Sequence, residues 1–248
     1  MSASPQNGTN GSLRRKVILS AGERHVKAGV EDDYHHFVIT LEHDGARITG
    51  VKSEDKRTPW ASCASAGSML QQLVGVALSM DVFAAVAHID PHEQCTHQFD
   101  LALLAIPQAL RGGRRQYDIE VTDAVDGKRR AHVLRDSKTC IDWIMEGTTV
   151  IAPSALAGTN LRQMNVREMA ERDPDNADAI VMLRRAVMIA SGRGINFDQF
   201  DNASVFADRM SGACYSFQPA RIMLATRNKG SVRDFSQHPE LLLRDFQD

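Results

Sequence analysis

No apolar run in this sequence reaches the ~20 residues that a membrane-spanning helix needs. The best candidate, Met69 to Ala87, is cut by Gln71, Gln72, Gly75 and Asp81. Net charge is also lacking: 29 basic against 31 acidic residues leave -2, which excludes a global attraction to nucleic acid or to an anionic membrane. The two basic clusters, Arg14 to Lys16 and Arg111 to Arg115, are not interleaved with aromatics and read as solvated surface or loop charge. The first dozen residues, MSASPQNGTNGS, have no apolar stretch, so residues 1–12 are expected to be a flexible, disordered tail rather than a signal peptide or anchor. Cysteine is sparse, with four in 248 residues, no Cys-x-x-Cys pair and no secretion signal, which predicts reduced thiols instead of a disulfide framework. There is no internal repeat. These absences describe a soluble, cytoplasmic protein with a small-molecule substrate and neither a membrane nor a nucleic-acid partner; a homo-oligomer is left open.

What is present is enough apolar content, 43%, to bury a core. Phe37 to Leu41 and Ile48 to Val51 are β-rich runs separated by a segment with an Asp44-Gly45 step, which predicts a hairpin. Ala66, Met69, Leu70, Leu73, Val74, Ala77 and Leu78 recur at three- and four-residue spacing and predict an amphipathic helix over 65–80. A second helix is expected over 96–110, with Pro107 ending or kinking it early. Beyond Gly112-Gly113, four short strands (116–121, 130–134, 139–145 and 148–151) read as a β-meander, followed by helices at 177–191 and 203–213.

Cys63 and Cys95 each fall at the start of a predicted helix, where the helix dipole and free N–H groups favour thiolate, the form that ligates metal or attacks as a nucleophile. Buried packing is the competing reading for a cysteine. His97 follows Cys95 closely, and Glu31-Asp32-Asp33-Tyr34-His35-His36 gathers carboxylates and imidazoles ahead of the first predicted strand. Together these types can fill a tetrahedral zinc or iron site, while Tyr34, His35 and His36 are candidate catalytic acid–base groups. Cys214, beside Tyr215 and Phe217, reads as packing, as does Cys140 beside Trp143. The Gly192-x-Gly194 step follows a helix rather than a strand, which rules out a dinucleotide fingerprint. Arg184, Arg185 and Arg221 read as solvated.

The order hairpin, Trp60-Ala61-Ser62-Cys63-Ala64-Ser65-Ala66-Gly67, helix, then Cys95-Thr96-His97 opening another helix resembles the NifU-type iron–sulfur scaffold fold over roughly residues 30–111. The resemblance implies that Cys63 and Cys95 stand for the second and third cysteines of that family and Asp33 for its metal-site aspartate. The first cysteine is missing; its place falls near Glu31, which cannot accept a persulfide sulfur. A divalent metal, zinc or iron, would then be held by Asp33 or Glu31 with Cys63, Cys95 and His97. Over its length the chain also resembles the bacterial domain of unknown function 2889 family, through Pro59-Trp60-x-x-Cys63-x-x-Ala66, Cys95-Thr96-His97, Gly212-x-Cys214-Tyr215-x-Phe217-x-Pro219 and Ser231-x-Arg233-Asp234.

The expected fold is α+β: a NifU-like hairpin-plus-helices core over 13–112, extended by a β-meander and C-terminal helices over 113–248. The expected function is a metal-assisted enzyme of small-molecule catabolism, a lyase or hydrolase acting on an organic acid, aromatic or terpenoid-like metabolite. An iron–sulfur or zinc carrier and a metal-free acid–base lyase are the alternatives.

Overall fold

The computed structural model describes residues 11–248. The tail expected at 1–12 lies outside the described residues up to position 10; Ser12 already opens strand β1 (Ser12–Ala21). Seven further strands follow: β2 (His25–Asp32), β3 (His36–His43), β4 (Ile48–Arg57), β5 (Gly113–Thr122), β6 (Lys128–Arg135), β7 (Lys138–Glu146) and β8 (Thr149–Ala152). Their order across the ladder is β4-β3-β2-β1-β5-β6-β7-β8, with antiparallel pairing for β2–β3, β3–β4, β5–β6, β6–β7 and β7–β8. With the helices below, this is an α+β fold.

The chain divides into two compact units. One comprises residues 16–116, 197–233 and 243–248. Its centre is helix α1 (Thr96–Arg111), in which every residue from Gln98 to Gln108 is buried, packed on β2 and β3. Val26, Ala28 and Val30 of β2 and Phe37, Ile39 and Leu41 of β3 are fully buried. Pro107 does not end the helix early. Proline removes one donor from the ladder, but the apolar flank on either side keeps the helix seated. Gln108 Nε2 donates to the Gly112 and Gly113 carbonyls, and Gly112, at φ 72, stops the helix at Arg111.

The amphipathic helix expected over 65–80 is instead a 3-10 run, Ala61–Leu73. Of the expected stripe Ala66, Leu70 and Leu73 are buried, together with Cys63, whereas Val74 and Ala77 lie beyond the run and are exposed. The run has no side-chain N-cap and no acidic residue in its first turn, and its composition is rich in Ser with Gly67. Low helix propensity leaves the tertiary contact with β4 to set the geometry. Gly67 is required there: a Cβ would lie 2.8 Å from Ser53 Cβ and 3.1 Å from its hydroxyl. Gly67→Ala is therefore expected to lower stability by about 1–3 kcal/mol, read as a reduced denaturation midpoint at unchanged m-value.

The second unit comprises residues 117–196 and 234–242 with the first 15 residues, as far as these are described. It holds the expected meander, with β6 registered against β5 and β7, and helices α2 (Val166–Arg172) and α3 (Ala177–Ala190). Ile180, Leu183, Ala186 and Val187 of α3 are buried, as their spacing predicts. Tyr117 donates its hydroxyl to Asp178, which also pairs with Arg135 at 3.2 Å.

Three expectations change. The hairpin is preceded by β1 and β2, so the basic cluster Arg14 to Lys16 is part of a strand, where Arg14 pairs with Glu120 at 2.6 Å and Arg15 is buried. The helix expected over 203–213 is a 3-10 turn, Ala203–Phe206, followed by the short α4 (Ala207–Met210). Cys63 opens no α-helix, a departure from the hairpin–cysteine–helix plan that suggested the NifU-type scaffold.

Candidate active site

The segment Glu31 to His36 turns β2 into β3. Asp32, fully buried, makes the turn: its Oδ1 accepts the N–H groups of Tyr34 at 2.8 Å and His35 at 2.9 Å, and lies 3.0 Å from His35 Nδ1. A carboxylate oxygen is an acceptor only, so the imidazole carries a proton on Nδ1 toward Asp32. The His35 ring lies 3.7 Å from the His97 ring, centroid to centroid, at 40°. Phe37 flanks both at 6.1 Å, and Tyr34 meets His35 edge-on at 6.2 Å.

Strand alternation sends His36 the other way. It faces Glu31 at 3.4 Å and Asp245 at 3.6 Å, and burial lowers its pKa despite the opposing pull of these two carboxylates. The expected group Tyr34, His35 and His36 is thus split: two members share the His97 side and the third does not. Arg57 locks the turn from β4, pairing with Glu31 at 3.1 Å and donating to the carbonyls of Asp32, Asp33 and Ser231. Asp33 is buried, and its carbonyl accepts from Arg57 and from the Arg233 N–H at 2.8 Å.

The thiols form a second cluster. Cys63 Sγ lies 3.4 Å from Ser216 Oγ, in a core with Trp60, Phe217 and Ile222 against which Cys214 packs. Cys95 is the N-cap of α1 and makes no side-chain capping bond. Burial pushes the Cys63 thiol up to about 12 and raises Cys95 as well. Cys63 is near enough to Cys214 and Asp55, and Cys95 to Cys63 and Cys214, for a neighbouring negative charge to push each further up. The expectation that helix starts make these thiolates is overturned, because desolvation of a buried anion outweighs a helix-end partial charge. Burial likewise raises Asp55, whose carboxylate accepts from Gln98 Nε2 at 2.6 Å.

Of the expected metal ligands, Cys63 and Cys95 are buried thiols, and His97 lies against His35. Among the described residues no three His, Cys, Asp or Glu side chains are arranged to hold a metal ion. The set Asp33, Cys63, Cys95 and His97, as it stands, does not fit zinc or iron.

Sequence reasoning passed over several members of these clusters. Asp32 was legible only as one carboxylate in a string; the turn selects it over Asp33. Cys214 and Ser216 come from a segment more than a hundred residues beyond Cys63, and Asp55 and Gln98 carry no motif. No helix among the described residues is long and apolar enough to cross a membrane. None of the curated proteins compared matches the chain. Residues 14–110 match the family described as protein of unknown function (DUF2889).

Proposed function

We propose that the chain is an acid–base enzyme acting on a small organic molecule, a lyase or hydrolase of an organic acid, aromatic or terpenoid-like metabolite. The observation that supports this reading is the buried Asp32–His35 pair, Oδ1 to Nδ1 at 3.0 Å, with the His35 ring 3.7 Å from His97. Asp32 holds the imidazole in one tautomer and stabilises the imidazolium formed when the ring takes a proton. His97, half-buried at the start of α1, stands beside it to pass or receive a proton, and the Tyr34 hydroxyl is the candidate donor to a developing oxyanion. Cys63 and Cys95 stay neutral thiols in this scheme and take no proton-transfer role.

Hydration, dehydration and hydrolysis of a panel of small organic acids and their esters test the reading. Positioned acid–base groups contribute about 10²–10⁴ in rate, so His35→Asn should lower kcat by that factor and Asp32→Asn nearly as much, while Cys63→Ala keeps most of the rate. Wild type inert across the panel, or His35→Asn as active as wild type, sinks the proposal.

A further inference from the structure

Arg227 is the most enclosed cation in the unit that holds the histidines, with a side chain only 1% exposed. Its Nε donates to Asp198 Oδ1 at 2.9 Å and its Nη1 to the Pro59 carbonyl at 2.7 Å. Asp198 is itself committed, its second oxygen accepting the Gly230 N–H at 2.8 Å. Nη2, though buried, has no hydrogen-bond partner among the described residues. Leaving the NH₂ group of a buried cation without an acceptor is costly, and guanidinium is the side chain best shaped to receive a carboxylate.

The surroundings are aromatic. The guanidinium carbon lies 5.5 Å from the Trp60 ring centroid and 5.9 Å from that of Phe197. Phe206 meets Trp60 at 6.2 Å and Phe197 at 5.7 Å. Phe197 in turn meets Tyr34 at 5.7 Å, and Tyr34 abuts His35. A continuous set of ring contacts thus connects the unsatisfied donor to the acid–base pair. This neighbourhood of a few apolar walls and a single placed polar donor is the usual chemistry of a small-molecule site.

We infer that Arg227 anchors a carboxylate ligand, Nη2 donating to a carboxylate oxygen while the ligand's apolar or aromatic body lies against Trp60 and Phe197. As a statement of substrate class this rests on the acid–base reading; as a binding site it stands on Arg227 and its neighbours. Asp198 pairs with the Nε edge of the guanidinium, so the ligand meets a cation already partly balanced. Recognition then depends on the geometry of the donor more than on net charge.

The chain has two tryptophans, Trp60 and Trp143. Trp143→Phe therefore leaves Trp60 as the sole indole reporter. Benzoate, cinnamate and cyclohexanecarboxylate are titrated against this protein beside the neutral benzamide and benzyl alcohol. At least one carboxylate should change Trp60 emission saturably and raise Tm, with its neutral partner at least tenfold weaker. Arg227→Gln and Arg227→Lys should each weaken the carboxylate at least tenfold, the lysine because it keeps the charge and loses the fork. His35→Asn should bind the carboxylate as wild type does, even where turnover is lost, which keeps failure of the site apart from failure of the acid–base reading. The inference is overturned if no carboxylate of the panel perturbs Trp60, if the neutral analogues bind as well, or if a folded Arg227→Gln protein binds unchanged. Should the Arg227 variants not fold, the carboxylate-against-neutral comparison on the Trp143→Phe protein decides by itself.

Discussion

Raising the pH above about 9 is expected to destabilise the protein steeply, by about 1.4 kcal/mol per pH unit for each of Cys63 and Cys95. Both are raised from an ordinary value of 9.0, Cys63 to about 12, with burial the largest cause. In the unfolded chain each thiol ionises near its ordinary value, while in the native protein it stays protonated. Above that pH the folded state holds more protons, so stability is fully present below it and is lost as pH climbs toward the folded-state value. Denaturation midpoints between pH 8 and 11 measure the slope, and Cys63→Ala should flatten it by one thiol's share. The same burial governs reactivity. At pH 8 a thiol at 12 has ~1000-fold less thiolate than one at 9, and the higher nucleophilicity of a more basic thiolate recovers only ~30-fold of that. Iodoacetamide should therefore modify Cys63 and Cys95 at least ~30-fold more slowly in the native protein than in denaturant, read by peptide mass spectrometry. Equal rates in the two states contradict the burial of these thiols.

Arg57→Ala is expected to be the most damaging single substitution at the turn, costing about 3–5 kcal/mol. For a chain of this length that lowers Tm by on the order of 10 °C. The Arg57 and Glu31 side chains are each only 10% exposed, so loss of the guanidinium strands a nearly buried carboxylate. It also removes the donor to four carbonyls, those of Asp32, Asp33, His35 and Ser231. Glu31 keeps the Leu243 N–H at 2.7 Å and His36 at 3.4 Å, which cannot replace a cation paired at close range. In the double variant Arg57→Ala, Glu31→Gln the stranded charge is gone, so the loss should be smaller than the sum of the single losses. Additive losses would mean that the two side chains act independently. Because Arg57 and Asp32 hold the same turn, Arg57→Ala should also broaden the His35 imidazole resonances.

The antiparallel meander, the β3–β4 hairpin, α1 and α3 were legible because their signals are local: alternation, an Asp-Gly step, a three- and four-residue stripe, a glycine stop. β1 and β2 escaped notice because a strand buried along most of its length loses clean alternation; β2 reads buried at every position from Ala28 to Asp32. The 3-10 run at Ala61–Leu73 shows the limit of periodicity in another way. An apolar stripe tells which residues face inward and leaves the winding of the backbone to caps and neighbours, here absent caps and a close approach to Ser53.

By itself the sequence determined the α+β class, the chemistry-bearing residue types and the two segments, 31–36 and 95–97, that hold the histidine pair. Only the tertiary structure decided how those residues combine. It set Asp32 rather than Asp33 against His35, brought His97 onto the same ring, turned His36 away, and left Cys63 and Cys95 as buried neutral thiols. The physical reason is that a helix start or a string of charged residues is a one-dimensional feature. Desolvation, ring stacking and the choice of hydrogen-bond partner depend on which distant segments close over it, and the 214–227 segment that closes over Trp60 and Cys63 announces no such role in its own residues.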